Sequence, residues 1–373
     1  EARIAEVEAS LRDPALAHLG SVEGSSVEAP QYATVLIAFY GGDLERALAA
    51  TREAFAAEEW LFEAKRLEGE ILLELGVERR LRGDAAGALS AFEEAGRAFA
   101  LAADIGRSDP GVHEGECAMW TQVLELNSRR GEPVLEPFER AVAACGRALR
   151  IDADRADVHE LLSNLYWRWA DLVNDRGGEP GPFLAKAIAE AERAIALDPE
   201  SVAALSTRGG ALTVAALGEL ARGDDPRPTL VRAVESFEAA IALDPGAVLA
   251  HDDLGYAWER IARYELGAGF DPRSSLERAI ASFDRAITLN PAYANAHNNR
   301  GIALWRRAYY ELKTGIDPQA SLDQSLEAFS AATTINPNYA NAYANRGLSY
   351  RTKALALMEH GQDPTPWIDL ARD

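Results

Sequence analysis

Apolar positions recur along this chain on two scales. On the short scale, His251, Gly255, Trp258, Ala262 and Leu266 fall 4, 3, 4 and 4 residues apart. That is one stripe of a helix with 3.6 residues per turn. His297, Gly301, Leu304, Ala308 and Leu312 repeat the stripe, and Tyr343, Gly347, Tyr350, Ala354 and Met358 repeat it again. On the long scale, whole columns return every 46 residues: Gly209, Gly255, Gly301 and Gly347; Phe237, Phe283 and Phe329; Pro199, Pro245, Pro291 and Pro337. Ala148, Ala194, Ala240, Ala286 and Ala332 form a further column. A fixed period of this size predicts stacked supersecondary units, none of which buries its apolar face alone.

The polar punctuation divides each unit into two helices, a first of about 20 residues and a second of about 17. Asp225-Pro226, Asp271-Pro272, Asp317-Pro318 and Asp363-Pro364 mark the junction between them. Asp317 reads as an N-cap, with Pro318 at the first helical position, where a missing N–H costs nothing. Gly315 reads as the left-handed residue that ends the preceding helix. Glycine in mid-helix costs about 1 kcal/mol against alanine. The recurrence of Gly255 and its equivalents therefore predicts a close approach between helices.

The text is regular over 111–373, where the last unit breaks off. Residues 31–110 read as atypical hairpins with helices at 31–40, 44–57, 61–82 and 85–104. Phe92, Ala95, Phe99 and Ala102 already stand 46 residues before Phe138, Ala141, Cys145 and Ala148. Residues 1–30 read as a helical cap, with a helix from Ala2 to Leu11 and a second after Asp13-Pro14, and a flexible connector at 20–30. The expectation is an all-α chain of about seven antiparallel hairpins, a piece of a longer protein.

Gly255, Trp258, Ala279, Phe283, Ala286 and Pro291 resemble the signature columns of the tetratricopeptide repeat (TPR). The family unit has 34 residues. From Gly255 to Ala279 this chain runs 24 residues, roughly 12 more than the family, and the other spacings agree. The extra residues fall at the helix–helix tip and would lengthen each hairpin by roughly 9 Å. HEAT-type repeats share the length but not the Ala/Phe/Ala/Pro placement. The resemblance implies a right-handed solenoid that holds peptides on a concave face lined by first helices. The long repeats also look like the region after the catalytic domain of some bacterial serine/threonine kinases, although no kinase motif occurs here.

The net charge is −21. Residues 1–100 hold 19 acidic and 10 basic side chains, and residues 292–373 hold 8 of each. Such a surface repels phosphate backbones, so nucleic acid is excluded as a partner and neutral to basic proteins are favoured. Four of the 38 basic residues are lysine, a bias that fits a GC-rich bacterial source. No apolar run approaches the roughly 20 residues that span a bilayer, so no membrane segment is expected. Cys117 and Cys145 read as buried thiols rather than a disulfide framework, which places the chain in a reducing compartment, the cytoplasm.

No HExxH, CxxC, GxSxG or phosphate-loop motif is present, and neither a metal, a cofactor nor an enzymatic activity is expected. His113, His159, His251 and His297 share one column. Successive units stand at least 8–10 Å apart, too far for these histidines to converge on one ion with ligands about 2 Å away, so they read as packing residues. The opposite stripe of the first helices is more informative. Tyr256 lies on it in one unit. Asn295, Asn298 and Trp305 follow in the next, with Asn299 and Arg306 alongside, then Asn341, Asn345 and Arg351. Asparagine and arginine pair with peptide backbone and carboxylates, so this strip is the candidate peptide-binding site. The two-lysine carboxylate clamp of some family members is absent, since Lys313 and Lys353 lie elsewhere on their helices. The competing reading is internal: Trp305 and Tyr309 pack on the neighbouring first helix, and the asparagines support turns. The function expected is a non-catalytic interaction or regulatory scaffold. The alternative is self-association through the open face at 364–373 or the hairpin tips at Phe270 and Ile316.

Overall fold

The computed structural model describes residues 30–371, so the helices expected at 2–11 and after Pro14, and the connector at 20–30, lie outside the described residues. Sixteen α-helices occupy the described part. They pair as α1 (Pro30–Tyr40) with α2 (Leu44–Ala57), α3 (Phe62–Leu81) with α4 (Ala85–Ile105), and α5 (Pro110–Arg130) with α6 (Leu135–Ile151). Next come α7 (Ala156–Asp175) with α8 (Gly181–Leu197), α9 (Val202–Arg222) with α10 (Arg227–Leu243), and α11 (Val248–Ala268) with α12 (Arg273–Leu289). The last pairs are α13 (Ala294–Lys313) with α14 (Gln319–Ile335) and α15 (Ala340–Glu359) with the short α16 (Thr365–Leu370). This is the all-α hairpin-repeat architecture of a TPR-like solenoid, in eight pairs. Two compact units divide inside α7, one ending at Leu165 and the other beginning at Tyr166.

The mid-helix glycines explain how each hairpin closes. A Cβ built on Gly255 would stand 2.6 Å from the Phe283 ring, and one on Gly301 would stand 2.6 Å from Phe329. Both rings are fully buried. The second helix thus lays its phenylalanine flat on bare backbone of the first, 28 residues upstream. Burying such a ring contributes about 3 kcal/mol, which outweighs the helical cost of the glycine.

In α5–α6 the same two columns hold Cys117 and Cys145, also 28 residues apart, and here they form a disulfide with Cα atoms 5.3 Å apart. This corrects the reading of two free thiols. The slot that accepts a ring on a glycine brings two cysteine Cβ atoms close enough for their sulfurs to bond. A reducing compartment therefore no longer follows from the cysteines.

The tips follow the punctuation. Gly269 takes φ +80°, and the Phe270 N–H closes onto the Glu265 carbonyl at 2.7 Å. Gly315 is left-handed as expected, with φ +73°. Asp317, expected as the N-cap, sits one residue before it: Pro318 is the N-cap, and the Asp317 carboxylate accepts from the Gln319 N–H at 3.0 Å. Arg227 clamps Asp225 at 2.7 Å and lies over the Tyr264 and Phe270 rings of the next tip, 5.0 and 4.9 Å from their centroids. In α15 the stripe read as core is open at both ends, with Tyr343 and Met358 exposed. The six residues of α16 cover its middle alone, through Trp367 against Tyr350.

Candidate functional site

The histidine column does not build a site. His251 and His297 each donate from Nε2 to the carbonyl six residues earlier, Pro245 at 3.2 Å and Pro291 at 3.0 Å, and His159 reaches Ala153 at 3.1 Å. Each ring pins the turn that enters its own helix. Among the described residues no cluster of three His, Cys, Asp or Glu side chains could hold a metal, and no helix is long and apolar enough to cross a membrane.

In the unit beginning at Tyr166, side chains of successive first helices meet across one face in pairs 47 residues apart. Asn299 donates from Nδ2 to Asp252 Oδ1 at 3.2 Å. Asn345 donates to Asn298 Oδ1 at 3.0 Å. Arg306 pairs with Glu259, and the Trp305 indole donates to Thr352 Oγ1 at 2.9 Å. The period is 46, so every rung joins one column to the next column of the following helix. Asn298 also donates to Asn299 Oδ1 at 3.3 Å, so Asp252, Asn299, Asn298 and Asn345 form one continuous polar chain over three helices.

These rungs take up much of the predicted strip. Asn298, Asn299, Asn345, Trp305 and Arg306 all make intrachain contacts. Tyr256 is half-buried, with the Arg260 guanidinium 4.2 Å above its ring. Asn295, Asn341 and Arg351 are exposed. Lys353 pairs with Asp323 at 2.7 Å and covers Trp367, and Lys313 lies over Tyr309.

The electrostatics of this face are unusual for so acidic a chain. Burial pushes the Asp252 carboxyl up to about 6, against the hydrogen bonds from Asn299 and Tyr293. Asp253 opens to water beside it. The surrounding helices, and then the Asp252 charge, push it up to about 7.

The unit ending at Leu165 presents a different face, which the sequence reading passed over. A groove of about 480 Å³ runs over Leu73, Gly115 and Ala118 between α3, α5 and the start of α7. Arg66 meets Asp109 at 2.8 Å and Glu70 at 3.4 Å. Arg155 pairs with Glu114 and lies 3.3 Å from Asp157. Burial raises both Glu70 and Glu114 above the usual carboxylate range, against the neighbouring guanidinium charges. One signal was available: Glu114, Glu160, Asp252 and Asn298 occupy a single column.

Residues 273–307 match the family model of the TPR repeat. That window runs from α12 through the Pro291 turn into α13, and so avoids the lengthened tips on either side. The family-model match and the hairpin architecture together support a TPR-type repeat. No curated protein matches the chain significantly. Among solved structures, the chain is similar to the MamA protein, with 21% identity over 56% of this chain and 90% of that one, at a TM-score of 0.36. It is similar to YrrB, described as a TPR protein with an unusual peptide-binding site, with 18% identity over 65% and 95% and a TM-score of 0.40. A tetratricopeptide repeat protein from Parabacteroides merdae shares 14% identity over 86% and 97%, with a TM-score of 0.44.

Proposed function

We propose that this chain is a non-catalytic scaffold that binds an extended, neutral to basic peptide segment across the first helices α11, α13 and α15. The carrying observation is the polar ladder. It holds Trp305, Arg306 and three amides in fixed positions on one face, which lowers the ordering cost of binding. Asn341, Arg351 and Asp253 stand exposed beside the rungs, free to meet backbone amides, carboxylates and cations respectively. Long-range attraction from the acidic bulk of the chain favours a basic ligand.

Because Trp305 and Arg306 also support their neighbours, the test begins with the exposed groups. Peptides selected on the immobilised chain should lose at least about tenfold in affinity with Asp253→Arg or Arg351→Glu, with helicity unchanged. Trp305→Ala together with Arg306→Ala should lose more. Unchanged affinity in all three variants would move the site to another face. We further propose that the scaffold serves a larger bacterial cytoplasmic protein of the serine/threonine kinase kind, for which the 46-residue repeat text is the support. A kinase domain elsewhere in the parent polypeptide is the observation that decides it.

A further inference from the structure

The outer face of α4 differs from that of every other second helix. At the column where the later repeats carry Val142, Ile188, Val234, Ile280 and Leu326, α4 carries Gly96. The missing side chain leaves a mostly apolar groove of about 440 Å³ beside α4, floored by Met119, Trp120 and Val123 of α5 and closed by Arg140 of α6. Arg140 lies 4.6 Å over the Trp120 ring. A second depression flanks α4 on its other side, at Glu94, Ala98 and Leu101. Between the two runs a ridge of residues four apart: Leu89, Glu93, Arg97 and Leu101.

That ridge is chemically palindromic. Turned end for end about its centre, Leu89 faces Leu101, and Glu93 faces Arg97. Glu93 and Arg97 are both exposed, and among the described residues neither has an ion-pair or hydrogen-bond partner. No other second helix has this order. In α12, for example, the same four columns read Arg273, Glu277, Ala281 and Arg285, which would set arginine against arginine and leave Glu277 facing alanine. We infer that α4 is a self-recognition surface: a second copy of this chain packs its own α4 antiparallel across the first. Leu89 would then meet Leu101 of the other copy, Glu93 would meet Arg97, and the ridges would cross next to Gly96, whose missing side chain allows close approach. A two-fold interface of this kind uses one patch twice, so each favourable pair occurs in duplicate. Intermeshed ridges of residues four apart are a common mode of helix packing. This surface is separate from the first-helix face assigned to peptide, and from the hairpin tips.

Sedimentation velocity of the full chain over a concentration series tests the inference. The expected result is a reversible dimer. Gly96→Val should abolish it by filling the groove as the other repeats do. The added Cβ meets only the flexible end of Met119, at 3.3 Å, so helicity and melting temperature should hold or rise. Glu93→Arg alone and Arg97→Glu alone should each weaken the dimer by at least about tenfold. The double variant Glu93→Arg with Arg97→Glu should restore it, and mixing the two single variants should give a heterodimer. A chain that stays monomeric up to about 100 µM, or a dimer indifferent to Gly96→Val and to the charge reversals, would overturn the assignment.

Discussion

In the unit ending at Leu165, ions line the face between successive first helices: Arg66 with Asp109 and Glu70, and Arg155 with Glu114 and Asp157. In the unit beginning at Tyr166, neutral amides carry much of the equivalent face, and its Arg306–Glu259 ion pair is enclosed. Asn298 is buried against Asn345, and Glu259 is buried against Arg306. Hairpin closure varies from pair to pair: a disulfide in α5–α6, phenylalanine on glycine in α3–α4 of the same unit (Phe99 on Gly69), and phenylalanine on glycine again in α11–α12 and α13–α14. One backbone period therefore tolerates several chemistries, provided each fills the same slot. What changes is the response to solvent: partly exposed ion pairs are screened by salt, whereas buried amide pairs are not.

The hairpin slots give the largest expected effects. Phe283→Ala should lower stability by about 3–5 kcal/mol, read by chemical denaturation, because the ring is fully buried against Gly255. Cys117→Ser with Cys145→Ser should cost about 3 kcal/mol. By hydrogen exchange, the loss of protection should be confined to the unit ending at Leu165. Equal loss in both units would mean that they do not respond separately.

The Asp252–Asn299 rung gives the next effect. Its partner rung, Asn298–Asn345, is neutral. A carboxyl whose folded pKa rises from 3.8 to about 6 binds its proton more tightly in the folded chain, so stability falls as pH rises from about 4 to about 6 and then stays low. Asp252→Asn should therefore stabilise the chain at pH 8 by up to about 3 kcal/mol and have little effect below pH 4. A melting-temperature gain equal at both pH values would show that charge is not the cause.

The smallest effect contrasts the two faces directly. Arg155→Ala should cost about 1 kcal/mol or less at low salt and lose most of that cost in about 1 M salt. Asn345→Ala leaves the buried Asn298 without its donor, and should cost about 1–2 kcal/mol at either salt concentration.

The period, the helix bounds, the left-handed tip glycines and the packing of the histidines were legible in sequence, because each follows from local backbone chemistry or from spacing along one helix. The disulfide was not, although the 28-residue step from Gly255 to Phe283 and the step from Cys117 to Cys145 are the same number. Equating them requires knowing that the two columns face each other. The rungs were hidden for a related reason. Whether Asn299 meets Asp252 or Asp253 depends on how one helix is turned against the next, and the repeat length does not encode that rotation. Met358 was read as core from its stripe, but burial there depends on a second helix of full length.

Rungs 47 residues long tie α11 to α13 and α13 to α15. Unfolding of α15 strips Asn298 and Trp305 of their partners while leaving the bonds of Asp252 and Glu259 to α13 intact. The ladder therefore opens like a zipper, one tooth at a time, and each tooth sets a threshold for the next. Along this part of the chain amide exchange would form a gradient, slow at α11 and quick at α15.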